Sequence, residues 1–123
     1  MRFVIKGRFI SFNEYSNMER ASPYKAAKQK KTDTERVAWV IRASLRGRKT
    51  DKPVVVSFLW YEPNRRRDID NITNYGHKVI LDGMVRSGLI PDDGEKYVVG
   101  LVDRFAVDKD NPRVVVDVEE VTE

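Results

Sequence analysis

PVVVSFLWY, residues 53–61, is broken by a single polar residue, Ser57. In an extended chain alternate side chains share a face, so Val54, Val56, Phe58 and Trp60 take one side and Val55, Leu59 and Tyr61 the other. Apolar residues on both faces predict a central strand covered on both sides, or one lying at a subunit contact.

Working outward from this strand, MRFVIKG at residues 1–7 alternates Phe3 and Ile5 with Arg2, Val4 and Lys6 and reads as a short strand ended by Gly7. Residues 8–21, with Asn13, Ser16 and Asn17, read as a polar loop. Ser22-Pro23 suits a helix start, serine as N-cap and proline in the first turn. Thr32-Asp33-Thr34-Glu35 matches a capping box, so the helical region either breaks near Thr32 or begins there. Val37, Ala38, Ile41 and Leu45 form one buried stripe, and Gly47 is a natural stop. A second helix fits residues 70–87, with Ile72, Val79, Ile80 and Gly83 inward. Gly76 and Gly83 share a side of that helix and predict a close approach to its neighbours. GLIPDDGEK is a turn, and YVVGLVDRFAV and RVVVDVEEV, joined by DKDNP, read as a β-hairpin. Trp39 and Trp60 read as core. The expectation is an α/β protein, a single small domain over residues 1–123 in the order βαβαββ, with a mixed sheet packed by two main helices.

The 123 residues are 41% hydrophobic, enough to bury a core, and contain no cysteine, which excludes disulfides and thiolate chemistry. The opening apolar run is too short and too charged for a signal peptide, and nothing approaches the roughly 18 apolar residues of a membrane span. A cytoplasmic protein with no membrane partner is expected. Charge is lopsided: residues 1–50 carry 13 Lys or Arg against 4 Asp or Glu, and residues 51–123 carry 10 against 15, within a total of +4. One basic surface for a polyanion and one gathering of carboxylates is the pattern this suggests.

RRRDIDN, residues 65–71, joins the two kinds of charge. In an extended segment Asp68 and Asp70 point the same way and can share a hard cation such as Mg²⁺; alternatively Asp70 is only the N-cap of the following helix. Asn71, Asn74, Lys78 and Asp82 fall within about 80° on that helix, a polar stripe beside the buried one. Part of it is also accounted for by solvent exposure and a Lys78–Asp82 ion pair. Beyond the helix, an antiparallel return of the chain is expected to bring Asp92 or Asp93 to Asp68 and Asp70. Three carboxylates repel one another, and a divalent metal resolves that conflict while lowering the pKa of bound water. Lys78 would orient the scissile phosphate or help activate water. The chemistry suggested is metal-assisted phosphodiester hydrolysis. Arg65, Arg66 and Arg67 form one candidate DNA grip, and Lys25, Lys28, Lys30 and Lys31, preceded by Arg20, another. The lysine run reads equally as a solvated helix face. Tyr15 and Tyr24 are placed to stack on bases or sugars. His77, the one histidine, is a weak candidate for catalysis.

RRRDIDN, HKVILDGMVRSGLI and PDDGEKYV, in that order over roughly residues 65–98, resemble the RusA-like Holliday-junction resolvases, many of them encoded by phages and prophages. The resemblance implies a homodimeric Mg²⁺-dependent endodeoxyribonuclease, with Mn²⁺ as a possible substitute, that makes paired symmetric nicks at a four-way DNA junction. Its setting would be a bacterial nucleoid or a phage-infected cell. The metal-binding aspartates carry over to Asp68, Asp70 and Asp93, with Asp92 adjacent. Arg67 carries over as a DNA contact, the amino-terminal third matches only loosely through the polar loop with Asn13 and a basic segment, and Asn13 and Asn71 are counted with the expected DNA-binding residues. The lysine carries over to Lys78 when counted back from Asp93, whereas Asn74 holds the position counted forward from Asp70. The spacing here is about one helical turn longer than in the best-known member. Two other readings stand beside it: a nuclease of other branched DNA, and a non-catalytic DNA-binding protein of the same fold.

Overall fold

The computed structural model describes residues 1–122. Its elements run β1 (Arg2–Lys6), α1 (Phe12–Ala21), α2 (Pro23–Leu45), β2 (Val54–Glu62), α3 (Ile69–Arg86), β3 (Val98–Val107) and β4 (Arg113–Glu120). The four strands form one mixed sheet in the order β1-β4-β2-β3, and the α/β class is as expected.

Two departures from the sequence reading concern the strands. β3 and β4 are not a hairpin. β3 pairs parallel with β2, β4 pairs antiparallel with it, and β2 lies between them. The connection at residues 108–112 steps across the end of β2, anchored where the Asp108 amide donates to the Glu62 carbonyl at 2.8 Å. Arg113 braces it by donating to Asp108 at 2.9 Å and by lying 3.7 Å above the Tyr61 ring. Five residues comfortably span the roughly 10 Å between next-nearest strands. Secondly, β2 is central but covered on one face only. Val54, Val56, Phe58 and Trp60 are buried under the helices, while Val55, Ser57, Leu59 and Tyr61 stay half-exposed on the open face.

The helices also differ from expectation. Residues 12–21, read as loop, are α1, because Ser11-Phe12-Asn13-Glu14 is a capping box. The Glu14 amide donates to Ser11 Oγ at 3.0 Å and the Ser11 amide to Glu14 Oε1 at 3.2 Å. α2 starts at Ser22-Pro23 but runs unbroken through Thr32. The apparent second capping box faces α3 instead: Asp33 accepts from Tyr75 Oη at 2.6 Å, and Glu35 accepts from Arg86 Nε at 2.7 Å. α2 ends where Arg46 and Gly47 turn left-handed, at φ 52° and 81°. Trp39 is not core; it stands 69% exposed on α2.

The inward stripes of α2 and α3 and the glycine expectation agree with the structure. A Cβ built on Gly83 would lie 2.4 Å from Val37 Cγ1, and one on Gly76 would lie 2.6 Å from Trp60 Cη2. The two glycines let α3 sit hard against α2 and the sheet. α3 is thus locked antiparallel to β2 and β3 as the crossover of a β-α-β unit, and its two ends are fixed in space.

Candidate functional site

Asp68 and Asp70 lie at the amino-terminal end of α3, but not on one extended strand as expected. Asp68 is the N-cap residue, with φ −68° and ψ 157°, and Asp70 falls in the first helical turn. The capping alternative therefore belongs to Asp68, and even there the carboxylate makes no capping hydrogen bond. Both side chains are exposed, and among the described residues neither has an ion-pair partner.

Other expected binding residues gather here. Asn71 Oδ1 accepts from the Asn13 amide at 2.9 Å, tying α1 to the start of α3. Arg65 and Arg66 are exposed, and their guanidinium groups have no ion-pair partner among the described residues. Arg67 behaves differently from its neighbours. Its side chain is 16% exposed. It donates to the Phe9 carbonyl at 2.9 Å and to Glu14 Oε1 at 3.1 Å, and it sits 3.8 Å from the buried Glu62 carboxylate. Arg67 is therefore an internal clamp between α1, β2 and α3, turned largely away from solvent, unlike Arg65 and Arg66. The Glu14 carboxyl is held below its ordinary value, first by the Ser11 backbone amide and further by Arg67. A groove of about 260 Å³ opens beside the clamp, lined by Glu62, Arg65, Arg67, Ile69, Phe105 and Val107.

Asp92 and Asp93 are elsewhere. They follow α3, whose 18 residues at 1.5 Å each span about 27 Å. The chain does not return to the start of the helix. Instead the Thr50 amide donates to the Leu89 carbonyl, and the Val54 amide to the Tyr97 carbonyl, which fixes residues 89–97 at the opposite end of the sheet. Asp92 Oδ2 accepts from the Gly94 amide at 3.3 Å. Among the described residues no three His, Cys, Asp or Glu side chains converge to hold a metal ion. The expected meeting of Asp93 with Asp68 and Asp70 does not occur within one chain.

The lysines also divide. Lys25, Lys28 and Lys31 are exposed on α2, but Lys30 turns toward α3 and lies 3.6 Å from Asp82. Lys78 is 3.6 Å from the same carboxylate, so the stripe expected on α3 is partly an ion-pair network. Lys78 is two turns beyond Asp70, about 12 Å along the helix. Tyr24 is exposed, whereas Tyr15 packs against Tyr75 with ring centroids 4.7 Å apart and offers no free stacking face toward it.

One polar cluster escaped the sequence reading. Asp103 Oδ1 accepts from Trp60 Nε1 at 2.8 Å and lies 2.8 Å from His77 Nε2, joining β3, β2 and α3. The accessible clue was Asp103 itself, a carboxylate set within the apolar run VVGLVDRFAV. This places His77 in a structural tie.

A family model described as endodeoxyribonuclease RusA matches residues 3–119. No curated protein matches the chain.

Proposed function

This chain belongs to the RusA endodeoxyribonuclease family, and on that premise we propose that it is a structure-specific endonuclease of four-way (Holliday) DNA junctions, acting as a homodimer and cutting by paired symmetric nicks with Mg²⁺. The observation that carries the reading is the family match, which spans nearly the whole chain rather than a fragment. The end of α3 supports it. Two carboxylates without ion-pair partners among the described residues stand beside Arg65, Arg66 and the Asn13–Asn71 contact, so phosphate grips and acidic groups meet on one surface. The exposed lysines of α2 extend the basic surface and add salt-dependent affinity without reading sequence. Arg67, Glu14 and Glu62 hold the loop before α3, keeping Asp68 and Asp70 at a set distance from the arginines.

A divalent metal bound at the assigned carboxylates would stabilise charge on the phosphate and supply activated water. A single chain does not fit that role, because Asp92 and Asp93 are a helix length away from Asp68 and Asp70.

The test uses an end-labelled four-way junction and a linear duplex of the same sequence, each incubated in Mg²⁺ and in EDTA. Symmetric nicks on the junction alone, lost in EDTA, are expected. Asp70→Asn should abolish them while retaining junction binding, since it removes a carboxylate near the phosphates. Cutting of flaps or splayed ends in preference to junctions would move the substrate to other branched DNA. Tight binding without cutting, in either Mg²⁺ or Mn²⁺, would make the chain a non-catalytic junction-binding protein.

A further inference from the structure

α2 buries Val37, Ala38, Ile41 and Leu45 and turns a second stripe to solvent. At 100° per residue Tyr24, Lys28, Lys31, Glu35, Trp39 and Arg42 fall within about 80° of one another. Tyr24 is 77% exposed and Trp39 69%, and Lys28, Lys31 and Arg42 are exposed with them. The one carboxylate of the stripe, Glu35, is engaged by Arg86 Nε at 2.7 Å. Arg42, one turn beyond Trp39, donates to the Arg86 carbonyl at 3.0 Å. Lys28 and Lys31 have no ion-pair partner among the described residues. A hollow of about 610 Å³ beside Tyr24 is lined by Ala27, Lys28, Lys31, Thr32 and Glu35, within the roughly 300–1,000 Å³ usual for small-ligand sites.

We propose that this stripe binds single-stranded DNA, with Trp39 and Tyr24 stacking on bases and Lys28, Lys31 and Arg42 contacting phosphates. The partner follows from the chemistry of the stripe. Cations about one helical turn apart, with the only acid already paired, fit a polyanion. Aromatic faces open to solvent fit unstacked bases, which a duplex keeps inside its own stack. A protein partner fits less well, because lysine is depleted from the cores of protein interfaces. A membrane surface calls for an apolar face turned outward, and the apolar face of α2 is buried in the core. Tyr24 and Trp39 lie fifteen residues apart, about 22 Å along the helix, a span for several nucleotides. The stripe is also separate from Asp68 and Asp70: Arg86, which holds Glu35, follows Asp70 by sixteen residues, about 24 Å along α3. It is a second contact for DNA, and it does not depend on the nuclease reading.

Tryptophan fluorescence tests this directly. Trp39 and Trp60 are the two tryptophans of the chain, and Trp60 is only 2% exposed, so quenching by a ligand at the surface reports Trp39. An oligothymidylate of about 20 nucleotides, longer than the roughly 4–16 that a small domain covers, is titrated into the full chain at low salt in EDTA, where nothing is cut. The emission should be quenched and Trp39 shielded from acrylamide, while a duplex of the same length has little effect. Trp39→Ala should weaken binding about 10–100-fold, the effect of one stacked base, and Trp39→Phe should recover most of it. Because Trp39 is exposed, its replacement leaves the core intact, which thermal unfolding verifies. Replacing Lys28 and Lys31 together with alanine should flatten the salt slope by about 1.4, two phosphates at roughly 0.7 each. A Trp39→Ala chain that binds the oligonucleotide like the wild type would overturn the stacking. So would a duplex that binds as tightly and quenches as strongly. Polyglutamate that quenches Trp39 as well as the oligonucleotide would make the stripe a face for an acidic protein instead. Trp39 already shielded from acrylamide before DNA is added would show the stripe covered by another copy, and would overturn the proposal too.

Discussion

Replacing Arg67 with alanine separates two roles that the sequence cannot tell apart. As a phosphate contact, Arg67 would contribute one counterion-releasing charge, and its loss would flatten the salt dependence of DNA binding by about 0.9 in log–log slope. The structure assigns it inward instead. The Phe9 carbonyl would lose a charged donor at 2.9 Å, a loss of roughly 1.5–3 kcal/mol. The ion pair with Glu14, whose side chain is 57% exposed, adds at most about 1 kcal/mol. Glu62 keeps Arg8 at 3.3 Å and so is not orphaned. The total is about 3 kcal/mol, which at roughly 4 °C per kcal/mol for a domain of this size lowers Tm by about 12 °C. Thermal unfolding followed by circular dichroism measures the stability, and junction binding between low and moderate salt measures the slope. Arg67→Lys sharpens the test. It preserves a charge for a phosphate but cannot hold the Phe9 carbonyl and the Glu14 carboxylate in one planar fork. An alanine variant that melts within about 2 °C of the wild type, yet loses slope, would refute the clamp.

Arg65→Ala and Arg66→Ala should each leave Tm unchanged and reduce the salt slope of binding by about 1, because both residues are exposed and have no ion-pair partner among the described residues; an unchanged slope removes that arginine from the interface. Gly83→Ala should lower stability by about 1–2 kcal/mol, overpacking against Val37 outweighing the gain in helix propensity. Val37→Ala in the same chain should recover part of that loss, and additive losses in urea unfolding would show that the two residues do not meet. Glu14 has a lowered folded-state pKa, so its contribution is complete above the ordinary value of 4.5 and is lost as pH falls through the folded value. Glu14→Gln should therefore be less stable than wild type at neutral pH and converge with it in acid; a gap that stays constant below pH 4.5 would show that the charge is not what the fold uses.

Local pattern was the legible part of this chain. The stripe of Val37, Ala38, Ile41 and Leu45 and the alternation at residues 54–60 each follow from one periodicity and needed no knowledge of neighbours. Pairing was not legible, because strands alike in composition can neighbour either side of β2. DKDNP looked like a hairpin turn only because nothing local says that another strand lies between its ends. α1 was within reach. Ser11 and Glu14 have the spacing that was noticed at Thr32 and Glu35, but without an apolar stripe behind it the segment looked like loop. At Thr32 the same spacing misled, because Asp33 and Glu35 serve α3 rather than their own helix. Arg67 shows a related limit of local pattern: three consecutive arginines look equivalent until the backbone turns one inward.

The position of the carboxylates was more readable than it seemed. Once residues 70–87 are read as one helix about 26 Å long, Asp93 approaches Asp70 only if the six residues after the helix run straight back, fully extended, for about 20 Å. The expectation that the chain returns treated the turn after the helix as if it cancelled the helix. The strand that follows, β3, does run back toward Asp70, but Asp93 precedes it and stays at the far end.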